Sequence, residues 1–217
     1  MKIFLDTAEV DVVRKNFSTG LIDGLTTNPT LIRKSGRKHE EVYQEFKDIG
    51  VKDISMEVMG DKGNMVSEGK RLYKKFGNCA TIKVPCTLNG LDACRELSKD
   101  GIKVNVTLVF SVAQSILAAK SGAKYVSPFV GRVDDNSFGG LCLVKDIVKL
   151  YREHVVRTEV LAASLRGVRD AARAFEYGSD IVTMPPKVFE AMYNHVLTEK
   201  GLDQFDRDYM LSLESVE

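Results

Sequence analysis

Eight short runs of strand-like composition alternate with amphipathic helical stretches from one end of this chain to the other. The candidate strands are 2–6, 24–28, 54–58, 80–84, 103–108, 125–130, 159–164 and 180–184. Several are rich in Val, Ile and Thr, and Gly, Pro, Asp or Asn often flanks them. Between them, Val42, Phe46 and Ile49 share one helical face, as do Leu141, Val144, Val148 and Tyr151. Val168, Ala171, Ala172 and Phe175 repeat the pattern. Ser111 and Gln114 have the spacing of a capping box, which predicts a helix start after the fifth strand. Strict alternation implies parallel βαβ units, because a parallel neighbour is reached only through a crossover. A chain of 217 residues with no internal linker then fits one α/β fold, a single closed (β/α)8 TIM barrel. A doubly wound open sheet is the alternative. No Gly-x-Gly-x-x-Gly follows the first strand and no phosphate-loop Gly-x-x-x-x-Gly-Lys occurs, which weakens its nucleotide-binding form.

The barrel is expected over residues 1–195, followed by a helical extension over 196–217. There Leu202, Phe205, Tyr209, Leu213 and Val216 recur at helical spacing, an apolar stripe that must cover its own barrel or reach a neighbouring subunit. Basic and acidic residues nearly cancel, 31 against 30, which gives no stripe for nucleic acid and no polybasic segment for a membrane. The chain reaches Asp6 before any signal-peptide core forms, and no apolar run approaches the roughly 18 residues of a membrane span. Cys79, Cys86, Cys94 and Cys142 form no Cys-x-x-Cys pair. The expectation is a cytoplasmic, reduced protein. His39, His154 and His195 lie too far apart to suggest a metal spacing and read as surface or helix residues.

Strand parity carries the functional argument, since successive side chains on a strand point to opposite faces. Ile3 and Leu5 belong to the helix-facing side, so Asp6 points into the barrel at the carboxyl end of its strand. On the same logic Thr26 and Asn28 face inward opposite Leu25. Ser55 and Glu57 do so opposite Ile54, Met56 and Val58, and Thr81 and Lys83 opposite Ile82 and Val84. Asn105 and Thr107 face inward opposite Val104, Val106 and Leu108. Polar groups from five strands thus converge where barrels place their chemistry. Lys83 is the sharpest of them. An ammonium inside a barrel is costly unless paired or deprotonated, and a deprotonated one attacks a ketone carbonyl. The competing reading pairs it with Asp6 or Glu57 for structure alone. Those two carboxylates are candidate proton carriers, Thr107 could hold a water, and Asn28, Asn105 and Ser127 suit hydroxyl recognition. Arg132, and Ser164 with Arg166, follow strands six and seven, where barrels commonly hold phosphate. A lysine imine would replace the Lewis acid of a metal-dependent aldolase, so no metal is needed.

These residues fall into motifs that resemble the transaldolases. They are Leu5-Asp6-Thr7, Gly24-Leu25-Thr26-Thr27-Asn28-Pro29-Thr30, Ile82-Lys83-Val84-Pro85 and Asn105-Val106-Thr107-Leu108-Val109-Phe110-Ser111. Ser127-Pro128-Phe129-Val130-Gly131-Arg132 and Leu161-Ala162-Ala163-Ser164-Leu165-Arg166 complete the set, in family order across nearly the whole chain. The length is similar to the small transaldolase subfamily, which also includes fructose-6-phosphate aldolases. The resemblance implies that Lys83 forms a Schiff base with a ketose phosphate and that Asp6 takes the proton of the C4 hydroxyl. It gives the imine's proton steps to Glu57, Thr107 and a water, with no cofactor. Asn28, Asn105 and Ser127 would hold the three-carbon unit, with Thr26 and Phe129 also in the substrate site. Arg132, Ser164 and Arg166 would bind phosphate.

The implied reaction moves a dihydroxyacetone unit from sedoheptulose 7-phosphate to glyceraldehyde 3-phosphate, giving erythrose 4-phosphate and fructose 6-phosphate, in the non-oxidative pentose phosphate pathway. Fructose-6-phosphate aldolases carry Gln and Tyr where this chain has Glu57 and Phe129, so the resemblance favours transfer over release of free dihydroxyacetone. A non-catalytic sugar-phosphate binding barrel is the rival from another class. It would keep the arginines but has no need of Lys83 beside two carboxylates. The subfamily also implies a homo-oligomer, a ring-based decamer with exchanged C-terminal helices.

Overall fold

A computed structural model describes residues 1–214 of the chain. The first half runs β1 (Lys2–Asp6), α1 (Val10–Phe17), β2 (Gly24–Thr26), α2 (Pro29–Ser35), α3 (His39–Ile49), β3 (Ile54–Glu57), α4 (Lys62–Phe76) and β4 (Ala80–Pro85). It continues with α5 (Leu88–Lys99), β5 (Val104–Val109), α6 (Val112–Lys120), β6 (Tyr125–Pro128), α7 (Val130–Asp135) and α8 (Gly140–Glu153). The last elements are β7 (Glu159–Ala162), α9 (Val168–Glu176), β8 (Ile181–Met184), α10 (Pro186–Tyr193) and α11 (Val196–Glu214). The eight strands close into a barrel in chain order, and β8 pairs in parallel with β1. The fold is therefore the (β/α)8 barrel with an extra C-terminal helix that the alternation called for.

Parity sorts the side chains into two layers. Leu5, Leu25, Ile54, Met56, Ile82, Val84, Val104 and Val106 are buried in the layer shared with the helices. Each such side chain contributes about 1.5–3 kcal/mol through burial. Phe4, Tyr125, Leu161, Ala163 and Ile181 form a separate apolar cluster of the opposite parity, inside the barrel. Towards the amino ends of the strands, Asp53 accepts hydrogen bonds from Thr81, Lys103 and Tyr125, at 2.7, 2.9 and 2.8 Å. Burial and the Asp53 charge together push the Tyr125 phenol well above its ordinary range. Apolar packing and this network close the lower barrel and leave polar chemistry to its carboxyl end.

The departures from the expected pattern have local causes. β2 ends at Thr26 because Asn28 turns its side chain to cap α2, accepting from the Leu31 amide at 2.9 Å. In β5 the register shifts between Val106 and Val109, and Leu108 adopts a φ of 57°. This bulge puts Val109, rather than Leu108, into the outer core. β6 stops at Pro128, and Phe129 makes only an isolated bridge to Ala163 before Val130 starts a helix. On α9 the buried positions are Ala171 and Ala174, while Ala172 is exposed. The Ser111 cap forms as expected, on the Gln114 amide at 3.2 Å, but Gln114 reaches back to the amide of Phe110 instead of that of Ser111.

Beyond β8, α10 buries Val188 and Phe189 against the barrel. On α11, Leu202, Phe205, Tyr209 and Leu213 are each more than half exposed, and Val216 lies outside the described residues. Among the described residues, no helix is long and apolar enough to cross a membrane.

Candidate active site

Lys83 projects from β4 into the barrel, where it is 4% exposed. Its ammonium donates to the Thr27 carbonyl at 2.8 Å and lies 3.0 Å from Glu57 Oε2. The parallel register places Glu57, Lys83 and Asn105 side by side across β3, β4 and β5. Glu57 sits behind the lysine, while Lys83 itself reaches the cavity wall. Thr27 is fixed in turn, its hydroxyl donating to the Ser55 carbonyl at 2.9 Å.

Asp6, at the end of β1, accepts a 2.7 Å hydrogen bond from Thr26, whose hydroxyl also lies 2.7 Å from that of Thr183. Burial raises the Asp6 pKa above its ordinary value, and the Lys83 charge and the Thr26 hydrogen bond offset part of that rise. A carboxylate moved in this direction is better matched to taking a proton near neutral pH. On the other side of Lys83, Ser127 donates to Asn105 Oδ1 at 2.7 Å and Asn105 donates to Ser55 at 3.2 Å, which fixes the orientation of the amide. Thr107 precedes the β5 bulge. Its hydroxyl is buried and has no hydrogen-bond partner among the described residues.

The walls above β6 and β7 differ in character. Phe129 packs edge-on to Phe110 with centroids 5.9 Å apart, and the Arg132 guanidinium lies over the Phe129 ring at 5.0 Å. Ser164 holds a φ of 60°, a rarely used conformation for serine. Its carbonyl accepts from the Gly131 amide at 3.1 Å. A Cβ at Gly131 would lie 2.4 Å from that oxygen and 2.7 Å from Arg166 Nε, so glycine is required for this approach.

These side chains enclose a cavity of about 100 Å³ at the carboxyl end of the barrel. Of the residues singled out from the sequence, Asp6, Thr26, Asn28, Lys83, Asn105, Thr107, Ser127, Phe129, Arg132 and Ser164 line it. Arg166 does not. Its guanidinium makes a two-pronged ion pair with Asp135 at the end of α7. The amide of Arg166 faces Asp170 at 3.4 Å, so a carboxylate of α9 already occupies the start of that helix. A buried amine, a carboxylate with raised pKa and hydroxyl-binding groups around one small cavity suit carbonyl chemistry on a polyhydroxylated substrate.

The sequence over residues 3–216 matches the family model described as transaldolase/fructose-6-phosphate aldolase. The chain belongs to this family. A probable transaldolase of Paracoccus denitrificans is 50% identical over 210 residues, covering 96% of both chains. One from Caulobacter vibrioides is 47% identical over the full length of both. A third, from Nitrosopumilus maritimus, is 46% identical over 211 residues, 96% of this chain and 95% of the relative.

Within this transaldolase-family barrel, three cavity residues were not anticipated. Thr183, Leu161 and Ala163 also line the cavity. Carrying the inward parity on to strands seven and eight would have found them. The Thr27 carbonyl has no such signal, because a backbone acceptor is invisible in residue type.

Proposed function

We propose that the chain is a transaldolase that passes a dihydroxyacetone unit between sugar phosphates through a Schiff base on Lys83. The observation that carries this reading is the buried Lys83, held between Glu57 and the Thr27 carbonyl and opening onto the same cavity as Asp6. Lys83 gives a proton to Glu57 and attacks the C2 carbonyl of the donor ketose. Water leaves the resulting carbinolamine with protons managed by Glu57 and a water bound at Thr107. Asp6 then removes the C4 hydroxyl proton, the C3–C4 bond breaks, and its electron pair is taken up by the iminium as an enamine. The aldose phosphate departs. The enamine attacks the next aldehyde, and the steps reverse to release the new ketose and free Lys83.

Asn28, Asn105 and Ser127, beside Thr26, hold the hydroxyls of the three-carbon unit, and Phe129 forms the apolar wall. Arg132, Ser164 and Arg166 take the phosphate. The substrates are sedoheptulose 7-phosphate, glyceraldehyde 3-phosphate, erythrose 4-phosphate and fructose 6-phosphate, in the cytoplasmic non-oxidative pentose phosphate pathway. The mechanism needs neither metal nor cofactor, since the iminium supplies the electron sink. Glu57 and Phe129 favour transfer over aldol cleavage, because neither a phenol nor an amide is available there to protonate the waiting enamine. Residues 196–217 form an extension whose exposed apolar residues on α11 suit exchange between subunits of a decamer.

Product analysis with fructose 6-phosphate, with and without erythrose 4-phosphate, tests the reading. Sedoheptulose 7-phosphate formed only with the acceptor, with little free dihydroxyacetone, supports transfer. Rapid dihydroxyacetone release without acceptor makes the chain an aldolase. Absence of turnover with tight sugar-phosphate binding makes it a binding barrel.

A further inference from the structure

Arg166 and Arg132 sit on the same side of the cavity but in different states. Arg132 lines the wall. Arg166 has Nε at the rim, because Nε and the Ser164 hydroxyl both lie within 3.2 Å of the position a Cβ on Gly131 would take. Yet the other two guanidinium nitrogens are engaged with both oxygens of Asp135. The neighbouring Asp134 has a different task, accepting from the Gly140 amide at 2.8 Å where α7 hands over to α8. Among the described residues Asp135 accepts from no backbone amide, and it ends a helix, where a negative charge is unfavourable without a cation.

The two Nη atoms of a guanidinium form an end-on fork suited to a carboxylate or a phosphate. Asp135 holds that fork, so a phosphate docking end-on on Arg166 competes with the carboxylate for the same donors. We propose that Asp135 is a positioning residue that holds Arg166 in a parked state and sets how strongly the site prefers a phosphorylated substrate. Phosphate entry exchanges one anion for another on Arg166, and the carboxylate turns to solvent. The inference rests on the placement of Arg166 at the phosphate end of the proposed transaldolase site.

Both partners are substantially exposed, 57% and 47% for their side chains, so the competition is modest and screened by salt. Removing it tightens phosphate about 1.4- to 5-fold, the range spanned by exposed ion pairs. The probe is inorganic phosphate, titrated calorimetrically into the intact protein and the Asp135→Asn, Asp135→Glu, Arg166→Ala and Asp135→Asn/Arg166→Ala variants. Tighter binding by Asp135→Asn, near-normal binding by Asp135→Glu, and no difference between Asp and Asn at position 135 once Arg166 is gone is the expected pattern. The gain should also shrink at high salt. In turnover, Asp135→Asn should lower KM for glyceraldehyde 3-phosphate while leaving KM for unphosphorylated glyceraldehyde in place. Unchanged phosphate affinity in Asp135→Asn overturns the inference, since no competition was then relieved. Weaker affinity overturns it too, because Asp135 would then orient Arg166 for binding. Failure to form a Lys83 adduct with fructose 6-phosphate would remove the transferase reading while leaving the phosphate titrations interpretable by themselves.

Discussion

Replacing Lys83 with Met separates the cost of holding a charge in the barrel from the chemistry that charge serves. Met keeps an unbranched side chain, so packing changes little. What remains is Glu57, with a side chain only 9% exposed, without the ammonium that lay 3.0 Å away. The Thr27 carbonyl also loses its 2.8 Å donor. Removing one member of a buried ion pair costs about 3–5 kcal/mol, because the other charge is left uncompensated. With a urea dependence of about 3 kcal/mol per molar, that lowers the unfolding midpoint by roughly 1–1.7 M. Adding Glu57→Gln removes the stranded charge, and the double variant should return to within about 1 kcal/mol of the starting protein. Stability is read without reference to activity, by far-ultraviolet circular dichroism across a urea series at neutral pH. A Lys83→Met midpoint equal to or above that of the unaltered protein, with Glu57 in place, would refute the reasoning. The pair would then be hydrated, and the site would not hold its lysine at a cost.

Asp6→Asn should lower the transfer rate at least about 100-fold, the usual contribution of a positioned acid–base group. Because burial raises the Asp6 pKa, the protonated, inactive form persists to higher pH than for an ordinary carboxylate, and activity should climb with pH through a value above 3.8. A pH–rate series checks this, and an acid limb at or below 3.8 would count against Asp6 as the base. Gly131→Ala brings a Cβ to 2.4 Å from the Ser164 carbonyl, so the loop must move. We expect about 1–3 kcal/mol of destabilisation in thermal unfolding and a larger rise in KM for phosphorylated than for unphosphorylated acceptors. Removing the chain from Leu202 onward should leave the barrel folded by circular dichroism while light scattering reports a smaller assembly. Assembly that survives the truncation would rule out exchange of α11.

Much of this barrel was legible because one face of every strand packs against helices and the other against the barrel interior. Leu25, Ile54, Ile82 and Val104 announce the outer face in sequence, and Thr26, Ser55, Lys83 and Asn105 follow on the inner face from parity alone. The reading fails where the backbone changes phase. The bulge at Leu108 inserts a residue, and nothing in Thr107-Leu108-Val109 as letters marks which of the two apolar side chains enters the core. Asn28 continues a strand by parity but serves as a helix cap, a choice made by the Pro29 that follows it. The partners of long side chains are still less accessible. Arg166 reads as a phosphate ligand from its place after β7, but its contact with Asp135 joins residues 31 positions apart. Parity fixes the direction in which a side chain leaves the backbone. It does not fix where a flexible arginine ends.

The most direct test of the account is borohydride reduction in the presence of fructose 6-phosphate, followed by intact mass and peptide mapping. One three-carbon adduct per chain is expected, on the peptide that contains Lys83, and none in Lys83→Met. An adduct on a different lysine, or continued sugar exchange by Lys83→Met, would contradict it.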